Sequence, residues 1–130
     1  VLIGAGSVAG NSCEFKNSLL FDSVEAPHYN YVGDSILGYH AHMGAGSITS
    51  NIKSDRKNIV IRTDEGPLET GLRKIGAILG DYVEIGCGTV LNPGSIVGKN
   101  TMIYPLTSVR GPVPANSIVK SAENIVIKHN

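Results

Sequence analysis

The sequence predicts an all-β fold, a parallel β-helix of hexapeptide repeats that is interrupted by one long loop. Three features support this prediction. An aliphatic residue recurs at every sixth position, a small or β-branched residue follows four places later, and a glycine follows several of the aliphatic positions. This period is neither the 3.6 of a helix nor the 2 of a flat sheet. It is typical of a coil in which short strands alternate with sharp turns.

The repeat is most regular over residues 79–113. The aliphatic positions are Leu79, Ile85, Leu91, Val97, Ile103 and Val109, and the small or β-branched ones are Val83, Thr89, Ser95, Thr101, Thr107 and Val113. We expect each hexad to form one wall of a three-sided prism, with the aliphatic side chain inside and the smaller one at a corner. Glycines such as Gly80, Gly86 and Gly98 suit turn conformations that a Cβ would strain. A sandwich of short strands is disfavoured, because it needs turn signals roughly every 8–12 residues.

The first half of the chain has the same period with small slips of phase, which we expect to fall at corners. The inward positions predicted there are Ile3, Ala9, Phe15, Leu20, Ala26, Val32, Leu37, Met43 and Thr49, with Ala41 and Ser47 at corners. Outside the loop and the tail, the chain is then expected to form about five to six coils. Their interior is filled by side chains, so any functional site is expected on the outer faces.

Residues 50–74 do not follow the repeat and are highly charged. We interpret them as a binding loop with a short strand at 58–62 and a turn at 64–67, the alternative being a tolerated surface insertion. We expect the coils to end at residues 111–114, and Ile125-Val126-Ile127 in the tail, residues 115–130, to pack as a strand on a neighbour. We expect one domain over residues 1–130, taken from a longer chain, because the sequence begins inside a repeat and solenoid ends need polar caps.

Composition excludes several functional classes. Eleven basic and eleven acidic residues give no net charge, so nothing favours nucleic acid or an anionic membrane. No apolar run approaches the roughly 18 residues of a membrane span, and no charged leader precedes an apolar segment. Cys13 and Cys87 do not form a CxxC pair, which suits a reduced, cytoplasmic setting.

The histidines are the candidate catalytic residues. His28 lies among two tyrosines, an asparagine and an aspartate on the expected outer surface, although a lone histidine is more often structural. A neutral imidazole can take a proton from an amine or a hydroxyl at neutral pH. His40 and His42 flank the inward Ala41 and should point outward, where a third histidine would complete a metal site. A polar outer wall is the better interpretation, and no metal is predicted.

The six-residue period resembles that of the left-handed β-helix acyltransferases, whose handedness is an exception to the usual crossover rule. Residues 28–51 contain H-x-x-Y-x-G-D followed by G-A-G-[ST]-I-T-x-N. This motif resembles the acetyltransferase domain of the bifunctional glucosamine-1-phosphate acetyltransferases and UDP-N-acetylglucosamine pyrophosphorylases, and their stand-alone relatives. The resemblance implies acetyl transfer from acetyl-CoA to an amino sugar phosphate or nucleotide sugar, in a homotrimer with its sites between prisms.

The resemblance also implies roles at the acceptor site. His28 matches the general base that deprotonates the sugar amine. Lys16 and Tyr31 match residues that hold the sugar phosphate, and Asn51 matches an asparagine at the acceptor site. His42 stands where the family has an asparagine.

On the donor side, the backbone of Ala45 matches a contact to the CoA arm. Cys87 and Pro105 stand where the family has a serine and an alanine beside CoA, and Lys120 is the cation nearest to the family's phosphate-binding arginine. Backbone amides near Ala45 or Cys87 would stabilise the thioester oxyanion. Two other functions remain open: a non-catalytic trimerising or sugar-nucleotide-binding module of a larger nucleotidyltransferase-like protein, and a metal hydrolase resembling the γ-class carbonic anhydrases.

Overall fold

The computed structural model describes residues 1–129, and these form a parallel β-helix with no helical segment. The chain passes from wall 1 to wall 2 to wall 3 and returns one coil further on. Wall 1 contains β1 (Leu2–Ile3), β4 (Leu19–Leu20), β7 (Ile36–Leu37), β12 (Ala77–Leu79), β15 (Ser95–Val97) and β18 (Pro112–Val113). Wall 2 contains β2 (Val8–Asn11), β5 (Glu25–His28), β8 (His42–Met43), β13 (Glu84–Ile85), β16 (Met102–Ile103), β19 (Ser117–Ser121) and β20 (Asn124–Ile127). Wall 3 contains β3 (Glu14–Lys16), β6 (Tyr31–Gly33), β9 (Ile48–Thr49), β14 (Val90–Leu91) and β17 (Ser108–Val109).

The register between coils explains the slips of phase in the sequence. The pairing of Leu20 with Leu37 makes an early coil of 17 residues. Leu79 pairs with Val97 in a coil of 18, and Val97 pairs with Val113 in one of 16. Residues that stack across coils therefore drift from strict six-residue spacing, and the turns at the corners take up the difference.

Most of the predicted inward residues form the core, but Ile3 and Ala9 in the first coil are exposed and Phe15 is only partly buried. The six aliphatic positions from Leu79 to Val109 are at most 3 % exposed, and the six small or β-branched positions are at most 5 % exposed. The buried hydroxyls at corners are paired: Ser47 Oγ donates to the Gly44 carbonyl (2.7 Å), and Ser95 Oγ to the Asn92 carbonyl (2.6 Å). Serine and threonine suit these corners because a nearby turn carbonyl accepts a hydrogen bond from the buried hydroxyl.

The glycines after the inward residues have a different purpose from the one predicted. The glycines with positive φ do not include Gly80, Gly86 or Gly98. Instead, a Cβ on Gly80 would lie 2.6 Å from the backbone nitrogen of Lys99 in the next coil. These glycines are required by the close approach of successive coils, so the prediction of strained turn conformations is wrong for them.

The inserted loop folds as an antiparallel hairpin of β10 (Val60–Thr63) and β11 (Gly66–Glu69), with Asp64 and Glu65 in the turn. The predicted strand and turn are therefore confirmed, displaced by one or two residues. The hairpin leaves the corner between walls 3 and 1, where the Ile75 N–H donates to the Asn51 carbonyl (3.1 Å) and closes its base.

The coils continue past the predicted end at residues 111–114. β18 pairs in parallel with β15, and β19 pairs in parallel with β16. Proline is tolerated in β18 because this is the last strand of wall 1, where no further strand needs its N–H. The strand expected at 125–127 is present as β20, but it pairs antiparallel with β19 of the same chain.

Candidate active site

Four of the predicted site residues stack in one column at the corner between walls 2 and 3. We call His28, Ala45, Cys87 and Pro105 the histidine column. The Gly46 N–H donates to the His28 carbonyl (3.0 Å), the Gly88 N–H to that of Ala45 (2.9 Å), and the Leu106 N–H to that of Cys87 (2.9 Å). The four residues thus hold equivalent turn positions in consecutive coils, and all four are exposed. The predicted base and the predicted CoA contacts share one edge of the prism.

A shallow groove of about 560 Å³ runs along wall 2 beside the histidine column. Gly44 and Gly86 form part of its floor. The remaining lining is largely apolar and comes from three successive coils: His42, Glu84, Ile85, Cys87, Met102, Ile103, Tyr104 and Pro105. The groove can therefore hold an extended, mostly apolar ligand along the column.

Two backbone amides in the column are without an acceptor. The N–H groups of Ala45 and Cys87 take part in no hydrogen bond within residues 1–129, whereas the N–H groups of Gly46 and Gly88 beside them are paired. An unpaired N–H at a turn can donate to a ligand oxygen. The column therefore offers donors on two adjacent coils.

His28 is placed by the buried amide of Asn30. The Asn30 side chain, 3 % exposed, donates through Nδ2 to the carbonyls of Gly44 (2.9 Å) and Ser47 (3.0 Å). Its Oδ1 accepts from the His28 N–H (3.2 Å). Asn30 therefore ties the turn that carries His28 to the next coil. No role for Asn30 was predicted from the sequence; its signal is an asparagine at a corner position that elsewhere is small or β-branched.

The predicted acceptor residues Tyr31 and Asn51 are in contact. Asn51 Nδ2 donates to Tyr31 Oη (3.0 Å) and to Asp34 Oδ2 (2.7 Å), and Asn17 Nδ2 donates to Asp34 Oδ1 (2.7 Å). Asp34 belongs to the recognised motif, but neither it nor Asn17 was assigned a role from the sequence. The carboxylate of Asp34 orients both amides at the corner between walls 3 and 1.

Lys16 lies one coil from this network. It pairs with Gly33 across β3 and β6, its carbonyl accepts from the Asp34 N–H (2.9 Å), and its side chain is exposed. His28 stands at the other end of wall 3, and no hydrogen bond in the described part of the chain joins it to the network. The structure therefore gathers Lys16, Tyr31 and Asn51 at one edge of wall 3 and leaves His28 at the opposite edge.

The imidazoles of His40 and His42 are held by different partners. His42 Nδ1 lies 2.8 Å from Glu84 Oε2 on the neighbouring strand of wall 2. The His40 ring stacks on Tyr82 at 5.3 Å and meets Tyr39 edge-on at 4.7 Å. Residues 1–129 contain no group of three or more His, Cys, Asp or Glu side chains arranged to hold a metal ion.

Lys120 lies at the far end of wall 2. The Tyr104 N–H donates to the carbonyl of Val119 (2.9 Å), which places Lys120 one coil beyond the groove. Its side chain is exposed. Four strand spacings of about 4.8 Å separate β5, which carries His28, from β19. The predicted cation is thus roughly 19 Å along the prism from the predicted base.

Comparisons with known proteins agree with this architecture. No family model matches the chain. "Bifunctional protein GlmU" of Methanococcus maripaludis is 35 % identical over 118 residues, 91 % of this chain and 28 % of that protein. A bifunctional sugar-1-phosphate nucleotidylyltransferase/acetyltransferase of Sulfurisphaera tokodaii is 33 % identical over 96 residues, 74 % of this chain and 24 % of that protein. The chain thus spans about a quarter of the length of these relatives.

Among solved structures, the acetyltransferase domain of PglB from Neisseria gonorrhoeae, in complex with acetyl coenzyme A, superposes with a TM-score of 0.66. It is 18 % identical, and the match covers 90 % of this chain and 47 % of that one. No helix in residues 1–129 is long and apolar enough to cross a membrane. By sequence the chain is a relative of bifunctional GlmU-type proteins, and by fold it is a hexapeptide-repeat β-helix like that acetyltransferase domain.

Proposed function

We propose that this chain is an acyl-CoA-dependent acetyltransferase that acts on the amino group of a sugar phosphate or nucleotide sugar. The histidine column beside an apolar groove carries the proposal, because it aligns a proton acceptor with a channel for an extended donor. The comparisons support the class of reaction: the Sulfurisphaera relative is named a bifunctional sugar-1-phosphate nucleotidylyltransferase/acetyltransferase, and the PglB domain was solved in complex with acetyl coenzyme A.

His28 is the general base in this proposal. Its imidazole takes a proton from the neutral sugar amine as the nitrogen attacks the thioester carbonyl carbon. The C–N bond forms, the C–S bond breaks, and the CoA thiolate leaves with a proton returned from the imidazolium or from water. No covalent enzyme intermediate and no metal are needed.

The free N–H groups of Ala45 and Cys87 are the donors that stabilise the oxyanion. Neither N–H has an acceptor within residues 1–129, so each can donate to a ligand oxygen. Donors fixed in advance at the developing charge are among the largest contributions to catalysis. The rest of the donor extends along wall 2 past Cys87 and Pro105, towards the exposed ammonium of Lys120.

The acceptor binds at wall 3. The Lys16 ammonium supplies the charge for its phosphate, and the Tyr31 hydroxyl and Asn51 amide, held by Asp34, supply directed hydrogen bonds. His42 contributes to the acceptor site from wall 2, in the orientation set by Glu84. Because these groups lie at separate edges of one prism, a site assembled between chains suits them better than a pocket within one chain.

A homotrimer provides such sites. The outward residues of wall 1 form a continuous apolar row in register across five coils: Leu2, Leu19, Ile36, Ile78 and Ile96. In a ring the interface joins two different surfaces, so this row packs against another wall of the next chain. We place the reaction in the cytoplasm, in keeping with the free thiols of Cys13 and Cys87.

Acetyl transfer by the purified protein tests the proposal. The assay follows release of free thiol from acetyl-CoA with a panel of amino sugar phosphates and nucleotide amino sugars, and with their N-acetylated forms as controls. We expect turnover with at least one free amine and none with the blocked forms. Calorimetry with millimolar acetyl-CoA distinguishes this function from the alternative. Absence of heat would contradict an acetyl-CoA-dependent enzyme and favour a non-catalytic trimerising or sugar-nucleotide-binding module.

A further inference from the structure

A second cleft lies under the inserted hairpin, at the corner between walls 3 and 1 rather than at the histidine column. It has a volume of about 460 Å³. Its lining combines the start of the loop, the face of β10 that carries Val60 and Arg62, and the coil turns of Asn92 and Arg110. The insertion therefore builds a site that the regular coils lack.

The hairpin is fixed on the coils, so the cleft is preformed. Ile59 is fully buried and Ile61 is 8 % exposed. A Cβ on Gly94 would lie 3.0 Å from Ile59 Cγ2, which shows how closely the hairpin approaches this turn. Side chains alternate along a strand, so burying Ile61 against the coils turns Arg62 of β10 towards the cleft.

The cleft carries excess positive charge in a protein of zero net charge. Lys53, Arg62 and Arg110 contribute three cations, against the single carboxylate of Asp55. A hydrogen bond from the Lys57 backbone N–H (2.9 Å), followed by the charge of Lys53, lowers the pKa of Asp55, which therefore remains ionised at neutral pH. The four groups sum to a charge of about plus two.

Within residues 1–129, neither of these two guanidinium groups forms an ion pair. Lys53 Nζ lies 3.6 Å from Asp55 Oδ2. The other contact of this kind within the described residues joins His42 Nδ1 to Glu84 Oε2. Arg62 Cδ is 3.8 Å from the position that a Cβ on Gly111 would take, so it lies beside the turn that carries Arg110. Two arginines that line one cleft without a carboxylate partner can both donate to an anion bound there.

We propose that this cleft binds a phosphate monoester. Such a group carries a charge of about −1.5 to −2 at neutral pH, which matches the excess in the cleft. It presents oxygens to which guanidinium groups donate in pairs. The hydroxyls of Ser50 and Ser54 lie in the same lining and supply neutral donors. The site stands on its own residues and does not depend on the acetyl transfer proposed above.

Calorimetry with inorganic phosphate tests the proposal on the full chain. We expect saturable heat that weakens as salt is added, because the binding is electrostatic. Arg62→Ala and Arg110→Ala should each weaken binding at least about tenfold, the effect of losing one charge-assisted contact. Arg73→Ala is the matched control: this arginine is exposed in the same insertion, does not line the cleft, and should leave binding unchanged.

Absence of heat with phosphate, or equal binding by the two arginine variants and the wild type, would overturn the proposal. Arg62→Gln, which keeps much of the side-chain stem, and a thermal melt of each variant separate lost binding from lost folding. The source of the phosphate is decided by one further probe, adenosine 3′,5′-bisphosphate. If adenosine 3′,5′-bisphosphate binds more tightly than inorganic phosphate, and the arginine variants lose this gain, the cleft holds the 3′-phosphate of CoA. If the two bind equally, the cleft holds the phosphate of a small metabolite.

Discussion

The contact between His42 and Glu84 shows what a single residue can do on an otherwise regular wall. The Nδ1 to Oε2 distance of 2.8 Å fixes the imidazole beside the groove with its other nitrogen free for a ligand. The two residues are 42 positions apart in the sequence. They meet because the hairpin between them is excluded from the coil, which sets β8 directly beside β13.

Replacing Glu84 with Gln should raise the KM for the acceptor roughly threefold to tenfold with little change in kcat. The reason is the loss of a charge-assisted hydrogen bond that orients His42, a contact of about 1 kcal/mol. Initial rates at varied acceptor concentration measure the effect. Glu123→Gln in the exposed turn before β20 is the control. An unchanged KM in Glu84→Gln would show that the orientation of His42 does not matter.

Asn30 makes a second prediction at the scale of a residue. In Asn30→Ala, the buried carbonyls of Gly44 and Ser47 lose donors, which should lower the free energy of unfolding by about 2–3 kcal/mol. Activity should fall further than stability explains, because the turn of His28 is no longer held. Urea unfolding and turnover are measured together. Asn58→Ala, exposed in the inserted loop, should change neither, and equal effects from both variants would remove the role of Asn30.

At the scale of the element, the strands are only two to five residues long, and each is held mainly by stacking on the strands of neighbouring coils. Close stacking of the coils explains why Gly80, Gly86 and Gly98 follow inward residues. Their positions were predicted correctly from the sequence, but the predicted reason, a strained turn conformation, was wrong. Periodicity reveals that a position must be small. It does not reveal whether backbone strain or a neighbouring coil imposes the limit, because that depends on the distance between coils.

The two causes are separable by substitution. Gly80→Ala places a Cβ 2.6 Å from the Lys99 nitrogen, so the coils must move apart, at a cost of about 1–3 kcal/mol in the free energy of unfolding. Gly71→Ala meets open space at φ +69° and should cost about 1 kcal/mol, from backbone strain alone. Thermal and urea unfolding of the two variants give the comparison. A smaller loss in Gly80→Ala than in Gly71→Ala contradicts the explanation by coil spacing.

At the scale of the molecule, the coil was predictable because its repeat depends on local geometry. The inward row from Leu79 to Val109 is an example, since each member is recognised from its neighbours six places away. The histidine column could be predicted only in part. The insertion separates Ala45 from Cys87 in the sequence, so their stacking in adjacent coils cannot be read from a constant spacing. The approach of Arg62 to the turn of Arg110 had no signal in the sequence, because it arises when the hairpin docks on the coils.

The trimer is a prediction about the whole molecule. Light scattering of the purified protein should give a molar mass three times the 13.7 kDa of one chain. Ile36→Glu, in the middle of the apolar row, should shift it to monomers and abolish turnover, because charge would be buried at the interface. Glu14→Gln on the outer side of wall 3 serves as a conservative control. A monomeric wild type with full activity would contradict sites between chains.

The most direct test of the account is the acetylation rate of His28→Ala, set against His129→Ala in the exposed tail. If the column aligns a base with the bound thioester, His28→Ala should lose at least about a hundredfold in kcat, the usual contribution of a general base. It should still bind acetyl-CoA and melt at the wild-type temperature, and His129→Ala should retain full activity. Wild-type turnover by His28→Ala would contradict the placement of catalysis at this column.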